Sequence, residues 1–237
     1  MRMLVLAGGF GTRLRSVVSH VPKPLAPVEG VPFLKLQMEH WIAQGVSSFI
    51  FLLHHQADLI HQFLADLPRG MLVEGQVKTV TESEPLGTGG AVAYAVHQLG
   101  LDGELMIVNA DTWLGSGVRE LSQIGADAIA VVKQPDVYRF GQVELDGGGY
   151  AAAFREKEKC RGEGWINAGM YVLSADHFKT WSGEHFSLEK ETFPELVANR
   201  RLKIVQLETD FIDIGVPEDY RRFCQWQKNK REGGMCN

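Results

Sequence analysis

The chain has 237 residues and a formal net charge of −5, from 24 Lys and Arg against 29 Asp and Glu. That balance argues against nucleic acid or an anionic membrane as partner, and no apolar run approaches the ~20 residues of a membrane span. Cys160, Cys224 and Cys236 form neither a CxxC nor a zinc pattern, which suits a reducing compartment. The N-terminal apolar run is too short for a signal peptide, so the expectation is a cytoplasmic protein.

In chain order, Met3 to Ala7 reads as a buried strand and is followed by a loop that ends near Gly30. Phe33 to Gln44 carries apolar residues at helical spacing and stops at Gly45. Phe49 to Leu53 is a continuous apolar run, short enough to be a strand buried on both faces. Ala57 to Leu67 returns to helical spacing, Val77 to Val80 predicts a third strand, and a helix is expected from the glycines at 87, 89 and 90 to about Leu99, with Thr88 as its N-cap. Leu105 to Val108 and Ala128 to Val132 are two more buried strands. The pattern then changes: Gln142 to Leu145, a turn over 146–149 and Ala151 to Arg155 read as a β-hairpin. A helix over Ser187 to Arg200, kinked or divided at Pro194, precedes a strand at Leu202 to Leu207 and a last helix from Pro217. From Asn229 onward the polar, Gly-rich sequence predicts a fraying tail. Alternating helices and strands predict an α/β protein.

The chemistry concentrates after the first strand. Leu6, Ala7, Gly8, Gly9, Phe10, Gly11, Thr12 and Arg13 lead to Lys23, which stands between Pro22 and Pro24. Glycines let backbone N–H groups approach a phosphate, and Arg13 and Lys23 add positive charge beside them. The prolines are expected to hold Lys23 in an extended loop. A Walker A loop is absent, and Leu14 stands where a dinucleotide fingerprint needs its third glycine. Gly87, Thr88 and their neighbours open a helix whose first N–H groups could meet a base or phosphate. Asp111 follows a central strand at the place where α/β sheets bind ligands, and a hard-oxygen ligand there suits Mg²⁺. The other reading is that Asp111 caps the next helix. Asp213 lies between apolar neighbours and is costly to bury unless paired or coordinated. His54 and His55 follow a strand end, and a loop pair without a role is the favoured reading.

GGxGTRL followed by PKPL resembles the signature of the sugar-1-phosphate nucleotidyltransferases, and matching segments run from Met3 to Tyr220. The resemblance implies a Rossmann-like mixed sheet sandwiched by helices, the nucleotide-diphospho-sugar transferase fold, with a small β-hairpin sugar-binding insertion. It implies one domain over 1–228, with a nucleotide half at 1–133, a sugar-phosphate half at 134–228 and a flexible tail at 229–237. Arg13, Lys23 and Asp111 would be catalytic. Leu6, Ala7, Gly8, Gly9, Gly11, Thr12, Arg13, Glu82, Gly87 and Thr88 would bind the nucleotide. A carboxylate at Glu82 suits the adjacent donors of guanine and would also accept the N3–H of uracil. Gly141, Glu156, Lys157 and Asn167 would hold the sugar phosphate, and Asp111 and Asp213 would hold Mg²⁺. Ser16 and Val18 stand where general members have Pro and Thr, a departure that the heptose-type subgroup resembles.

The activity implied by the resemblance is transfer of a nucleotidyl group from a nucleoside triphosphate, GTP favoured, to a sugar 1-phosphate, with pyrophosphate released. Heptose 1-phosphate is the favoured acceptor. Mannose 1-phosphate, or a uridylyl or cytidylyl transfer to another phosphorylated acceptor, is the alternative. Mannose enzymes usually carry a long C-terminal β-helix domain, for which this chain is short. A regulatory subunit without catalysis should have lost some of Arg13, Lys23, Asp111, Lys157 and Asp213, and all five are present. The sequence leaves the oligomeric state open, a homodimer among the options.

Overall fold

A computed structural model of the chain describes residues 1–68, 70–71, 75–156 and 161–233. Its first strand, β1 (Arg2–Leu6), lies at the middle of the main sheet because both of its faces are apolar. Met3 and Val5 point to one core and Leu4 to the other. Two-residue strands β2 (Pro27–Val28) and β3 (Val31–Pro32) form a small ribbon before α1 (Phe33–Ala43). Next come β4 (Ser48–Leu53), α2 (Ala57–Ala65), β5 (Val77–Thr81), α3 (Gly87–Leu99), β6 (Glu104–Asn109), β7 (Thr112–Leu114) and α4 (Val118–Ile124). The second half holds β8 (Ala128–Gln134), β9 (Gln142–Leu145), β10 (Ala151–Arg155), β11 (Gly164–Ser174), α5 (Phe193–Ala198), β12 (Lys203–Leu207), β13 (Phe211–Asp213) and α6 (Pro217–Gly233).

The nine-stranded main sheet has the order β10-β9-β11-β6-β1-β4-β5, with β8 on β11 and β12 on β8. The strands from β6 to β5 are parallel, whereas β11 runs antiparallel to β6, β8 and β9. The sheet is therefore mixed and helix-covered on both faces, as the family resemblance implies. Helices α1, α2 and α4 cover one face through residues such as Leu34, Trp41, Ile60 and Leu121. On the other, the small side chains Ala91, Ala93 and Ala95 let α3 approach closely, and Phe193 and Leu196 of α5 complete the layer. Burial on both faces explains why the strands read as unbroken apolar runs. A third cluster packs Leu14, Val18 and Phe33 against Trp113, Ile212, Ile214 and Phe223. It anchors the glycine-rich loop to the β7–β13 ribbon and α6. Leu14, which breaks the dinucleotide pattern, is thus a core residue.

Four local expectations are corrected. Lys23 is not in extended chain but opens a 3-10 turn, Lys23–Leu25, closed by the Leu25 N–H on the Pro22 carbonyl (2.8 Å) while Pro24 and Leu25 bury. Thr88 is not an N-cap; its hydroxyl donates to Glu189 (2.6 Å) and accepts from the Leu188 N–H (2.9 Å). The 187–200 region is a π-turn, Leu188–Thr192, capped by Ser187 and continued by α5 with Pro194 in its first turn. Helix α6 runs through Gly233 instead of fraying at Asn229, because Gln225 binds Asn229 and Lys230 sits 4.8 Å over the Trp226 ring. No helix among the described residues is long and apolar enough to cross a membrane.

Candidate active site

The carboxyl ends of β1, β4 and β6 open onto one crevice, where open parallel sheets hold ligands. From β1 the chain enters the glycine-rich loop. Among the described residues, none of the N–H groups of Gly8, Gly9, Phe10, Gly11, Thr12 and Arg13 has a hydrogen-bond acceptor. Six successive free donors are costly unless water or an anion takes them. Gly8 sits so close to β4 that a Cβ would lie 3.1 Å from the His54 backbone nitrogen, and Gly11, at φ +61°, backs onto Lys23.

From β6 the chain delivers Asp111. It does not cap a helix, since β7 follows it directly. The Ile214 N–H donates to the Asp111 carbonyl (2.9 Å), and β13 pairs with β7, so Asp213 is brought beside Thr112. Lys23 Nζ lies 2.5 Å from Asp111 Oδ2. Burial alone would lower the Lys23 pKa, but the Asp111 carboxylate outweighs it and the ammonium is held above its ordinary value. Burial likewise works against the Asp111 charge, and Lys23 reverses that, keeping Asp111 below the usual carboxylate range. Asp213 is pushed up to about 6, first by burial and then by Asp111, with Lys23 pulling the other way. Its Oδ1 accepts the Gly215 N–H at 2.7 Å. Two carboxylates thus share one ammonium and repel each other. Hard oxygen donors short of positive charge fit a divalent cation that completes its shell with phosphate oxygens and water.

Two cavities flank this pair. The first, about 430 Å³, is lined by Leu6, Gly8, Gly9 and Phe10 of the loop, by His54, and by Glu82, Gly87 and Thr88. The second, about 290 Å³, is lined by Arg13, Arg139, Phe140, Gly141, Glu156, Asn167, Gly169 and Asp213. Thr88, Asn109, Asp111 and Glu189 belong to both. Asp111 therefore stands at the junction of two adjoining chambers.

Glu82 is buried, and burial raises its pKa against the pull of the Leu86 N–H, which donates to Oε2 at 2.8 Å. Arg13, expected beside the nucleotide, is exposed and lines the second chamber, where its charge lowers the Asp213 pKa. Gly141 is so close to Glu156 that a Cβ would lie 3.0 Å from its Oε2. Lys157 lies outside the described residues.

The start of α3 is only partly open. The Gly89 and Gly90 N–H groups donate to the Phe186 carbonyl (3.1 and 3.3 Å), and a Cβ at Gly89 would overlap the Phe186 ring. These glycines admit a crossing segment, 184–189, which brings His185 and Glu189 to the first chamber and Ser187 and Glu189 to the second. Sequence reasoning missed His185, Glu189, Asn109 and Arg139, and set aside His54. His54 lines the first chamber and meets the Phe10 ring at 5.6 Å. A strand-end position was the available signal for His54 and Asn109; none existed for His185 or Glu189.

Comparison with known proteins matches residues 2–229 to the nucleotidyl transferase family. The chain is 33% identical over 225 residues to the D-glycero-alpha-D-manno-heptose 1-phosphate guanylyltransferase of Campylobacter jejuni, covering 94% of this chain and 98% of that protein. It is 33% identical over 229 residues to mannose-1-phosphate guanylyltransferase 1 of Arabidopsis thaliana, covering 93% of this chain and 63% of the relative. The crystal structure of HddC from Yersinia pseudotuberculosis complexed with GMP-PN superposes with a TM-score of 0.79 at 34% identity, covering 94% and 98% of the two chains.

Proposed function

Because the chain belongs to the nucleotidyl transferase family, we propose that it transfers GMP from GTP to D-glycero-α-D-manno-heptose 1-phosphate and releases pyrophosphate. The observation that carries this reading is the position of Asp111 between two chambers, one bordered by a loop of free N–H donors and the other by Arg13 and Asp213. Guanine and the heptose are favoured by the similarity to the Campylobacter protein, and guanine also by the GMP-PN complex of the Yersinia protein. The 1-phosphate oxygen of the acceptor attacks the α-phosphorus in line, the bond to the β-phosphate oxygen breaks, and pyrophosphate leaves. No general base is needed, since the attacking phosphate is already deprotonated at neutral pH. The work is positioning and charge neutralisation.

In this reading the free N–H groups from Gly8 to Arg13 cradle the triphosphate and Glu82 accepts hydrogen bonds from the guanine edge. Gly141, Glu156 and Asn167 orient the sugar, with Lys157 on its phosphate. Asp111 and Asp213 hold Mg²⁺, which when bound would neutralise phosphoryl charge. Lys23 keeps the Asp111 carboxylate oriented, and Arg13 offsets charge at the phosphates.

The test is pyrophosphate release with Mg²⁺, crossing GTP, UTP, CTP, ATP and dTTP with heptose 1-phosphate, mannose 1-phosphate and glucose 1-phosphate. Turnover centred on GTP and the heptose is expected. Turnover centred on GTP and mannose 1-phosphate would establish the second reading, which the similarity to the Arabidopsis enzyme supports. Preference for another base would remove the guanine role of Glu82.

A further inference from the structure

Behind the junction of the two chambers lies a buried tyrosine that touches neither. Tyr171 is 0% exposed on β11, in register with Ile107 of β6 and Ile129 of β8. Its hydroxyl accepts from Asn167 Nδ2 at 2.9 Å, and the same amide's Oδ1 accepts the Gly169 N–H at 2.8 Å. Those two bonds fix which end of the Asn167 amide is oxygen. Between these residues β11 changes register, and Gly169 takes φ +73°. A Cβ there would lie 3.1 Å from Asn109 Nδ2 and 3.3 Å from Thr112 Oγ1. The bulge therefore presses the acceptor wall onto the strand end that carries Asp111.

Asn167 lines only the second chamber, whereas Asn109 lines both. We propose that Tyr171 is a positioning residue that couples the two chambers: its hydroxyl fixes the Asn167 amide beside the acceptor, and that amide holds Gly169 against Asn109 beside the nucleotide. A buried hydroxyl that accepts from an amide costs little while the bond is made, and its removal leaves the amide N–H unpaired. A small misplacement of reacting groups is expensive in rate. The inference rests on the two-chamber reading of the transferase site and is independent of which base or sugar fills the chambers.

The experiment uses Tyr171→Phe, which removes the hydroxyl at nearly constant volume, Asn167→Ser, which breaks the same bond from the other side, and the double variant. GTP affinity is measured by calorimetry without acceptor, and turnover is measured with the pair that the wild type uses best. Tyr171→Phe should weaken GTP binding about threefold, raise the acceptor KM and lower kcat by on the order of 10-fold, with thermal unfolding still cooperative. Asn167→Ser, remote from the nucleotide, should also weaken GTP binding, because the coupling runs from the Asn167 amide through Gly169 to Asn109. The double variant should be no worse than the worse single one. Tyr171→Phe parameters all within twofold of wild type, or losses that multiply in the double variant, would overturn the inference. If Tyr171→Phe yields no folded protein, Asn167→Ser decides: unchanged GTP affinity overturns the coupling. A wild type that binds no nucleoside triphosphate would instead strike the proposed function.

Discussion

The two chambers are built differently. The first chamber takes one side of its wall from a single stretch, Leu6, Gly8, Gly9 and Phe10, at the end of one strand and anchored just downstream by Leu14 and Val18. The second collects Arg13, Phe140, Glu156, Asn167, Ser187 and Asp213 from separate segments. A local wall can be read from a motif and altered residue by residue. An assembled wall exists only once the sheet has formed, and it fails when a distant contact fails. The crossing segment 184–189 belongs to the second kind, although it serves both chambers.

Asp111→Asn should have the largest effect, because it strikes the junction and spares neither side. A fall in kcat of about 10²-fold or more is expected from the loss of one charge-stabilising group, read by pyrophosphate release across a Mg²⁺ titration. Near-normal turnover with unchanged Mg²⁺ dependence would remove Asp111 from the centre. Gly89→Ala comes next. The added methyl meets the Phe186 ring, and overpacking of this kind costs about 1–3 kcal/mol. Both KM values should rise with the fall in melting temperature, since 184–189 reaches both chambers. A change in one KM alone would show that the segment serves one side. Glu82→Gln keeps an oxygen for the Leu86 N–H but gives up the carboxylate charge. The GTP KM should rise by about 10-fold, in keeping with the roughly 1.5–3 kcal/mol of a charge-assisted hydrogen bond, while the acceptor KM stays put. Equal losses for GTP and UTP would argue against base reading.

The smallest effect on turnover is expected at Asp127, far from both walls. It is buried with His177 at 2.6 Å and Arg201 at 2.6 Å. Burial opposes its charge, but the bond to His177 and its other partners win, so its pKa lies below the ordinary 3.8. A carboxylate with a depressed folded-state pKa contributes stability above its unfolded value, and that contribution is lost as pH falls through the folded one. Asp127→Asn should therefore lower stability at pH 7 by about 1–3 kcal/mol, with the gap to wild type closing below about pH 4. Turnover at pH 7 should be unchanged. A gap as large at pH 3 as at pH 7 would show packing loss instead of charge loss.

The difference between a local and an assembled wall also decides what could be read from the sequence. The parallel strands and Asp111 were readable because two-sided burial and a strand end leave local patterns. The free donors of the loop were readable because glycines and cations stand together. Thr88 was misread because its partner, Glu189, lies 101 residues away, and nothing near Thr88 announces it. The glycines at 89 and 90 look the same whether they admit a ligand or Phe186; only the packed chain distinguishes the two. The ammonium of Lys23 was expected at a phosphate and lies on Asp111, a pairing across 88 residues. The last helix outlasted its composition through i,i+4 contacts that a polar tail conceals.

Strand β11 lies between β6, at the end of the parallel strands, and β8, which carries β12. It works like the shared spine of two pages. Cutting the gene near residue 133 would not release two smaller proteins. It would leave β6 with an unpaired edge and strip β8 of both its partners, β11 and β12, exposing the kind of surface that recruits other chains. Circular permutants that keep β11 whole should fold, whereas split halves should precipitate apart and recover only when expressed together.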